Sequence, residues 1–586
     1  MTVGHSAKKI GFVLAAWCLG GCGQGPADGT GTRIQAQENA ASVARFEWFD
    51  YKGSDAVFDN HDGSASGYLN PILTGFYPDP SITRAGDDYY LVTSTFAYFP
   101  GIPVMHSRDL VNWTQIGNVI DRPGMLDFDG LGLSRGVFAP TIEFHDGTFY
   151  VANTCVDCGG NFIVTATDPA GPWSDPVWLP EVDGIDPSLF FDEDGTVYVM
   201  NNDVPPGGSL YEGHRAIWIR AVDPQTFQSI SEPVVLINGG VHPEDKPIWI
   251  EGPHIYRIGD WYYLWAAEGG TAIDHSQVVL RAHSVTGPYV AFDGNPILTQ
   301  RHLPEDRPDP ITSVGHADLV QDGAGRWWAT FLGVRPYEGD LYNTGRETFL
   351  MPVDWEGGWP VITRGAQEVP YVMTERPGPV MDNPPAIPTS GNFDLREEFD
   401  ADQMPFNWMT LRVPKTGWWS LADGELRITA RPVGLGEGAQ PSVWARRQQH
   451  QNAVAETSMT FAPQATGEEA GLAVMQSDDY FYALGLTRNE AGALIVRLRC
   501  RTGGDSPVMG EEIVSRQIAA TEGQAVQFRI AARRDVYDFS YRLDGADSWT
   551  VLAADQDGKI LSTHVAGGFV GAVFGLYAEA APAPAE

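Results

Sequence analysis

The sequence predicts an all-β protein built from two large domains. Its 586 residues exceed what one hydrophobic core holds, and its 66 glycines, 42 prolines and 11% aromatic residues are typical of a turn-rich, strand-rich chain. A pattern repeated five times occupies the middle of the chain, and alternating strand patterns occupy the C-terminal part. These two patterns predict two different β architectures in one protein.

The charge of the chain restricts its partners. A formal net charge of −37 would repel the phosphates of a nucleic acid, so we expect no nucleic-acid partner. The same charge is compatible with a soluble protein that acts on a neutral or basic ligand. The charge therefore limits the ligand class but does not indicate the fold.

Residues 1–22 are predicted to be a signal peptide. Lys8 and Lys9 precede an apolar run from Ile10 to Leu19 that is too short to span a membrane. The run ends in "LGGC", which resembles the lipobox of bacterial lipoproteins, where the signal is cut before the cysteine and the thiol is acylated. The alternative is an ordinary signal peptide with an incidental Cys22. We expect lipid on Cys22 and an anchored protein of the bacterial cell envelope, facing the periplasm or on the outer-membrane surface.

Residues 23–66 are predicted to be a tether followed by a strand. The first part, "GQGPADGTGTRIQAQENAAS", has no pattern that indicates packing. The later part, "ARFEWFDYKGSDAVF", alternates aromatic and polar residues, so we expect it to add a strand to one of the two domains. Nothing downstream resembles a membrane span.

The repeat consists of strand-like segments that each carry an aromatic or Val-Tyr pair just after a turn. The five segments are "DDYYLVTS", "DGTFYVAN", "DGTVYVMN", "GDWYYLWAA" and "AGRWWATF". They recur about every 50 to 65 residues, which is the size of a four-stranded propeller blade. We therefore predict a five-bladed β-propeller over residues 67–370.

A second motif precedes each pair by eleven or twelve residues. It opens with Asp79, Ala139, Asp186, Glu251 and His316 in the five units. An aspartate before a proline commonly shapes a turn, and each acid taken alone is open to that interpretation. In a propeller, however, the innermost strand of every blade lines the central axis. The shared position therefore predicts that all five residues converge on one pocket, with the carboxylates as catalytic groups.

Four of these segments carry a family resemblance. "NPILTGFYPDPSI", "GIDPSLFFDEDG", "EGPHIY" and "GHADLV" resemble the signature segments of glycoside hydrolase family 43 over about residues 68–370. From "FNWMTLR" onward the chain resembles the β-sandwich that follows the propeller in β-xylosidase and α-L-arabinofuranosidase members. The resemblance implies an inverting exo-hydrolase that releases pentoses from plant glycans such as arabinoxylan, xyloglucan and xylo-oligosaccharides.

The resemblance also implies roles for the three carboxylates. Asp79 is similar to the general base that activates water, and Glu251 to the general acid that protonates the leaving oxygen. Asp186 matches a third carboxylate that orients the acid and raises its pKa. Inversion needs about 6.5–9.5 Å between base and acid, because water must fit between base and sugar.

Three further positions are implied to bind substrate. His316 is similar to a histidine that holds sugar hydroxyls and in some relatives helps to coordinate a central calcium, so calcium is an optional expectation and no cofactor is required. Arg346, in "NTGRETF", matches an arginine that reaches the terminal sugar. Phe138 stands where many relatives have tryptophan, and Ile185 where some β-xylosidases have phenylalanine. These two departures favour L-arabinofuranose slightly over D-xylopyranose.

The rest of the chain is predicted to be structural. Residues 371–392 are proline-rich and read as an extended linker. Residues 393–586 carry alternating strands such as "VQFRI" and "YDFSYRL", which predict a lectin-like (concanavalin A-like) β-sandwich. A glycan-binding role is the alternative for this domain, but the resemblance to two-domain relatives implies that it packs on the propeller and closes part of the pocket mouth. Cys155 and Cys158, in "NTCVDCGG", form either a local disulfide or two free thiols, and Cys500 is expected to be a small buried residue.

Two alternative functions remain open at this point. A five-bladed fructosidase-like hydrolase would share the propeller but uses Asn-Asp-Pro-Asn and Arg-Asp-Pro segments, which "YPDPSI" and "GIDPSL" fit poorly. A surface lipoprotein that only captures glycans would not need several carboxylates at one depth, because buried like charges are costly.

Overall fold

A computed structural model of the chain describes residues 41–59, 67–378, 385–521 and 523–581. The predicted signal peptide, Cys22 and most of the predicted tether lie outside these ranges, so lipid anchoring stays a prediction. Within the described ranges, no helix has the length and apolar character needed to cross a membrane. The chain from Ala41 onward forms one compact unit.

The predicted five-bladed propeller is confirmed, and every blade is an antiparallel sheet. Blade one contains the strands Ser81–Ala85, Asp88–Val92, Gly101–Ser107 and Thr114–Ile120. Blade two contains Thr141–His145, Thr148–Val156, Gly160–Ala166 and Val177–Trp178, and the short strand Gly136–Val137 also pairs with it. Blade three contains Ile185–Phe191, Val197–Asp203, Ala216–Val222 and Val234–Asn238. Blade four contains Glu251–Ile258, Trp261–Glu268, Ser276–Ala282 and Val290–Ala291, and the short strand Leu298–Thr299 also pairs with it. Blade five contains Thr312–Gln321, Trp327–Val334, Glu347–Glu356 and Trp359–Val361.

The repeated aromatic pairs lie in the second strand of each blade, as the hairpin pattern predicts. Alternate side chains of a strand point to opposite faces, so one member of each pair enters the core between neighbouring blades. Tyr89, Tyr263 and Trp328 are buried in this way. Between blades one and two, Tyr90 meets Phe149 edge to face with ring centres 4.9 Å apart. The pairs therefore hold adjacent blades together.

The propeller closes where the start of its sequence meets the end. Strand Tyr68–Leu69 pairs with Val372–Met373. The Asn70 side-chain amide donates to the Leu350 carbonyl at 2.8 Å, and the Leu350 N–H donates back to the Asn70 side-chain oxygen at 2.9 Å. The residues just before blade one are thus fixed on blade five.

The predicted sandwich is also confirmed. One sheet contains Trp419–Ala422, Glu425–Thr429, Val43–Gly53, Asn452–Thr460, Val526–Arg533, Val536–Leu543 and Thr550–Asp557, with Phe393–Glu397 paired to Val43–Gly53. The second sheet contains Val443–Arg447, Val573–Glu579, Glu469–Ser477, Tyr480–Arg488, Leu494–Thr502 and Glu511–Gln517. The short remaining elements are Tyr98–Phe99, Thr410–Leu411 and the helical turns Ala56–Phe58, Pro243–Asp245, Gly558–Leu561 and Thr563–Ala566. The strand predicted before the propeller therefore belongs to the sandwich.

The cysteines outside the signal segment follow the predictions. Cys155 and Cys158 form a disulfide across the turn that joins strands Thr148–Val156 and Gly160–Ala166. Of the two alternatives, the local disulfide is the observed one. Cys500 is free and buried in the sandwich core.

The two domains pack closely through shared backbone and apolar contacts. Strand Tyr98–Phe99 of the propeller pairs with Thr410–Leu411 of the sandwich. Near the central cavity Gly345 and Gly571 meet backbone to backbone: a Cβ on Gly345 would lie 2.9 Å from Gly571. Only residues without side chains allow this approach, which brings the loop before Arg346 against the sandwich.

A buried ion network connects the N-terminal segment, blade five and the sandwich. Arg335 donates to Glu347 Oε2 at 2.5 Å and to Asp55 Oδ2 at 2.8 Å. Arg335 Nη2 donates to Glu347 Oε1 at 2.9 Å and also reaches the Gln449 carbonyl at 3.4 Å. Glu347 Oε1 accepts a further hydrogen bond from the Gly75 N–H at 2.8 Å. All three charged side chains are at most 4% exposed. Because the guanidinium and the two carboxylates pair with one another, the free-energy cost of removing these charges from water is offset.

We expect Arg335→Ala to destabilise the protein by about 3–5 kcal/mol, because two buried carboxylates lose their partner. Guanidinium unfolding followed by tryptophan fluorescence measures the change. Arg364→Ala is the matched control, since Arg364 pairs with Asp354 and Glu356 on the surface. It should cost less than about 1 kcal/mol. Equal costs for the two variants would contradict a structural role for the Arg335 network.

Candidate active site

A cavity opens where the first strands of the five blades begin. Its volume is about 580 Å³. All five residues that open the repeats line it, as predicted: Asp79, Ala139, Asp186, Glu251 and His316. The substrate-binding candidates Phe138 and Arg346 line the same cavity. The propeller therefore brings together residues that are far apart in the sequence.

An unusual backbone conformation points these side chains inward. Asp79, Asp186 and His316 have φ values of 54°, 54° and 55°, in the left-handed region that side-chain-bearing residues rarely adopt. In blade four Gly252 takes this conformation, with φ 56°, so Glu251 lies one residue before it. The first strands of blades three, four and five also contain register shifts next to these residues. Such bulges redirect side chains at functional sites.

Gly252 is required by the space around it as well as by its conformation. A Cβ at this position would lie 2.7 Å from the His316 ring. Its backbone N–H donates to Asp186 Oδ2 at 3.1 Å. The glycine therefore lets blades three, four and five approach one another at the cavity floor.

Asp79 is held by three hydrogen-bond donors. Arg346 binds it with both terminal nitrogens, Nη1 to Oδ1 at 2.7 Å and Nη2 to Oδ2 at 3.3 Å. The Ser94 hydroxyl donates to Oδ2 at 2.5 Å. A carboxylate that only accepts hydrogen bonds, one pair of them charge-assisted, is in the environment of an ionised group. Asp79 therefore has the properties of a base that is fixed in position.

Glu251 is in the opposite electrostatic environment. Burial raises its pKa well above the ordinary value, and the negative charges of Asp186 and Asp79 raise it further. Burial and the charge of Asp79 also raise the pKa of Asp186. The cavity thus contains one carboxylate bound by a guanidinium and another that burial makes a weaker acid, which is the arrangement required for general acid–base chemistry.

His316 does not carry a charge at neutral pH. Burial lowers its pKa to about 4. Its ring therefore has both donor and acceptor capacity towards a hydroxyl group. A neighbouring histidine, His275, is fully buried with its Nδ1 on the Ser313 carbonyl at 2.9 Å.

The surroundings of His316 do not fit calcium. Calcium takes six to eight oxygen ligands, whereas His316 offers nitrogen and the cavity also contains the Arg346 guanidinium. Across the described ranges, no three His, Cys, Asp or Glu side chains are grouped so that they could hold a metal ion. We therefore assign no step to a metal.

Three phenylalanines form an apolar wall around the Asp79–Arg346 pair. Phe138 meets Phe96 and Phe569 edge to face, with ring centres 5.6 Å apart in both cases. The Arg346 guanidinium lies 5.9 Å from the Phe96 ring centre and 5.4 Å from that of Phe569. Phe569 comes from the sandwich, and its N–H is held by the Ser134 hydroxyl at 2.8 Å. The sandwich thus completes one side of the cavity.

The sequence pattern indicated only part of this site. Ser94 and Phe96 follow the first repeated strand in "TSTFAYF", but nothing in the repeat distinguishes them from core residues. Phe569 lies in another domain, and no local signal assigns it to the cavity. Phe138 and Arg346 were found through the family resemblance alone.

Comparison with known proteins agrees with this architecture. Residues 68–360 match the profile of glycosyl hydrolases family 43. Residues 396–585 match the beta xylosidase C-terminal concanavalin A-like domain. The two matches correspond to the propeller and the sandwich.

Individual relatives match over both domains. A non-reducing end alpha-L-arabinofuranosidase of Bacteroides ovatus is 38% identical over 521 residues, which cover 87% of this chain and 91% of the relative. A xylosidase/arabinosidase of Butyrivibrio fibrisolvens is 36% identical over 514 residues, which cover 87% of this chain and 95% of the relative. The crystal structure of a GH43_12 retrieved from the capybara gut metagenome superposes with a TM-score of 0.83 at 37% identity, and covers 92% of this chain and 100% of that one.

We expect Glu251→Gln to stabilise the protein increasingly as pH rises. The unfolded chain ionises this carboxyl near pH 4.5, while the folded chain keeps it protonated to higher pH. Wild type therefore loses stability above about pH 4.5, until pH passes the raised folded-state pKa. The difference should grow by on the order of 1.4 kcal/mol for each pH unit within that window.

Thermal unfolding of both proteins between pH 4.5 and 8.5 measures this difference. Glu232→Gln serves as the control, because Glu232 is exposed and its replacement should have the same small effect at every pH. A pH-independent difference for Glu251→Gln would show that the cavity does not keep Glu251 protonated.

Proposed function

The chain belongs to glycoside hydrolase family 43, and we propose that it removes single pentose units from non-reducing ends or side branches of hemicellulose-derived glycans. The observation that carries the proposal is the meeting of Asp79, Asp186 and Glu251 in one cavity, with opposite environments for Asp79 and Glu251. An O-glycosidase needs such a pair of carboxyl groups, one basic and one acidic.

In the proposed reaction Asp79 is the general base. Arg346 and Ser94 fix both of its oxygens, so the carboxylate keeps one orientation towards an attacking water molecule. Water attacks the anomeric carbon from the face opposite the leaving group, and Asp79 takes the proton. One displacement without a covalent intermediate inverts the anomeric configuration.

Glu251 is the general acid and gives its proton to the leaving oxygen. Burial is the main reason that Glu251 keeps this proton, and the charge of Asp79 contributes to it. Asp186 accepts a hydrogen bond from the Gly252 N–H next to Glu251, which orients the two side chains relative to each other. The proposed steps are carried by these carboxyl groups and water.

The surroundings of Asp79 support attack on a chain end. Phe96, Phe138 and Phe569 enclose the Asp79–Arg346 pair and leave an apolar face on which one sugar can stack. His316 and Arg346 supply polar groups for its hydroxyls. We infer that this enclosed part of the cavity holds the terminal pentose.

L-Arabinofuranose is the proposed preference over D-xylopyranose. Phe138 and Ile185 both line the cavity. The family resemblance places tryptophan at the Phe138 position in many relatives and phenylalanine at the Ile185 position in some β-xylosidases. The Bacteroides ovatus relative, named as an alpha-L-arabinofuranosidase, supports the same choice, whereas the Butyrivibrio fibrisolvens relative carries both activities in its name.

Family membership disfavours the two alternatives. A fructosidase-like hydrolase uses different signature segments, and a protein that only captures glycans would bury Asp186 and Glu251 together without using them. For location, we propose a lipid anchor on Cys22 in the bacterial envelope. That part of the proposal rests on the "LGGC" segment alone.

Product analysis tests the activity. Chromatography of digests of arabinoxylan, xyloglucan and linear xylo-oligosaccharides should show L-arabinose as the main product, released as a monosaccharide. Proton NMR during the first minutes should show the β-anomer from an α-linked substrate, because the displacement inverts. Mixed oligosaccharides would contradict exo cleavage, xylose as sole product would contradict the arabinose preference, and a retained anomer would contradict the mechanism.

We expect Glu251→Gln and Asp79→Asn to separate the two catalytic roles. Glu251→Gln should lower kcat about 10²–10⁴-fold on oligosaccharides but much less on aryl glycosides with good leaving groups, since these need little protonation. Asp79→Asn should abolish turnover of both substrates, because water then has no base. If Glu251→Gln lowered kcat equally on oligosaccharides and aryl glycosides, Glu251 would not be the general acid.

A further inference from the structure

A second aromatic group lines the cavity that contains Glu251. Trp249 lies two residues before the proposed acid, and its indole faces the same cavity as Arg215. The Arg215 Cζ atom lies 4.1 Å from the centre of the Trp249 ring, and both side chains are half-buried. The proposed binding of the terminal pentose next to Asp79 assigns no role to either residue.

The backbone holds this indole in a fixed place. Trp249 has φ 51°, in the left-handed region that bulky residues rarely adopt. Its N–H donates to the Gly213 carbonyl at 2.8 Å, and the Ile248 carbonyl accepts from the Gly269 N–H at 2.9 Å. Strained residues of this kind are found mainly where function requires them.

Arg215, which immediately precedes strand Ala216–Val222 of blade three, is held over the ring. Its Nη1 donates to the His214 carbonyl at 2.9 Å and approaches the Ser209 hydroxyl at 3.5 Å. Within the described residues these two bonds engage Nη1, so Nη2 can donate to a ligand hydroxyl. A guanidinium stacked on an indole supports the ring in its orientation.

The chemistry of the acid shows which part of the substrate lies here. Glu251 must lie within hydrogen-bonding reach of the leaving oxygen, so the sugar chain that departs lies on its side. The flat C–H face of a pyranose stacks on an indole, while its equatorial hydroxyls accept from a guanidinium. We propose that Trp249 and Arg215 form the subsite for the leaving glycan, and that this subsite takes a β-linked pyranose chain of the xylo-oligosaccharide type.

The dimensions of the cavity agree with two neighbouring subsites. Its volume of about 580 Å³ lies within the range of roughly 300–1,000 Å³ that is usual for small-molecule pockets, so it leaves room beyond a single pentose. Ile248 and Gly270 adjoin Trp249 in the lining: a Cβ on Gly270 would lie 3.4 Å from the Ile248 side chain and 3.7 Å from the Trp249 ring. This inference rests on the proposed function, because it takes Glu251 as the acid.

The test compares two substrates that share the terminal sugar. One is an arabinofuranosyl xylo-oligosaccharide, and the other is α-L-arabinofuranosyl fluoride, whose leaving group is a single atom. Trp249→Ala should lower the ratio of their kcat/KM values about tenfold, because only the oligosaccharide loses stacking. Trp249→Phe should recover part of the ratio, and Arg215→Ala should lower it less than Trp249→Ala does.

A matched control variant is available in the sandwich. Trp549 is half-buried and lies 4.5 Å and 4.6 Å from the guanidinium groups of Arg529 and Arg542, far from the cavity lining. Trp549→Ala should leave the ratio unchanged. An equal loss on both substrates for Trp249→Ala would overturn the inference and assign Trp249 to the folding of the strand that carries Glu251. An unchanged ratio would overturn it as well.

Calorimetric binding of xylotriose gives a readout that needs no turnover. Wild type should bind it, and Trp249→Ala should bind about tenfold more weakly, while affinity for L-arabinose changes less than twofold. Absence of xylotriose binding to wild type overturns the subsite. If wild type binds xylotriose in a Trp249-dependent manner but hydrolyses neither pentosyl substrate, the subsite is retained and the proposed hydrolase activity is the part that fails.

Discussion

The bond between Arg346 and Asp79 is the interaction on which the rest of the cavity depends. Three carboxyl groups share this space, and like charges out of water cannot all be ionised. The Arg346 guanidinium, which donates two hydrogen bonds to Asp79, stabilises one negative charge in the cavity. The other two carboxyl groups then respond to that anion and to burial by holding their protons more tightly. A division into base and acid follows from the position of one arginine.

That arginine is placed by the closure of the propeller. Asp79 precedes blade one and Arg346 precedes the third strand of blade five, so the pair lies across the junction of the first and last blades. Pairing of Tyr68–Leu69 with Val372–Met373 holds this junction. A ring that failed to close would leave Asp79 without its partner and would remove the charge that helps to raise the pKa values of Asp186 and Glu251.

The sandwich has a direct part in the site as well as a supporting one. Its Gly571 contacts Gly345 next to Arg346, and its Phe569 completes the wall around the guanidinium. The N-terminal strand Val43–Gly53 lies within the same sandwich, and Arg335 connects its end, through Asp55, to blade five. Neither domain therefore forms the complete cavity alone. The prediction that the sandwich packs on the propeller and closes part of the mouth agrees with these contacts.

The sequence alone determined the propeller, the sandwich and the five residues that meet at the axis, because a repeat with constant spacing places equivalent residues at equivalent depths. It also suggested Phe138 and Arg346, through a family pattern. Only the tertiary structure decided that Arg346 binds Asp79, that Glu251 is offset by one residue at Gly252, and that Phe96, Phe569, Trp249 and Arg215 belong to the cavity. The reason is physical: repeats and alternation are properties of neighbours along the chain, whereas partners, burial and pKa shifts arise from residues that folding alone brings together.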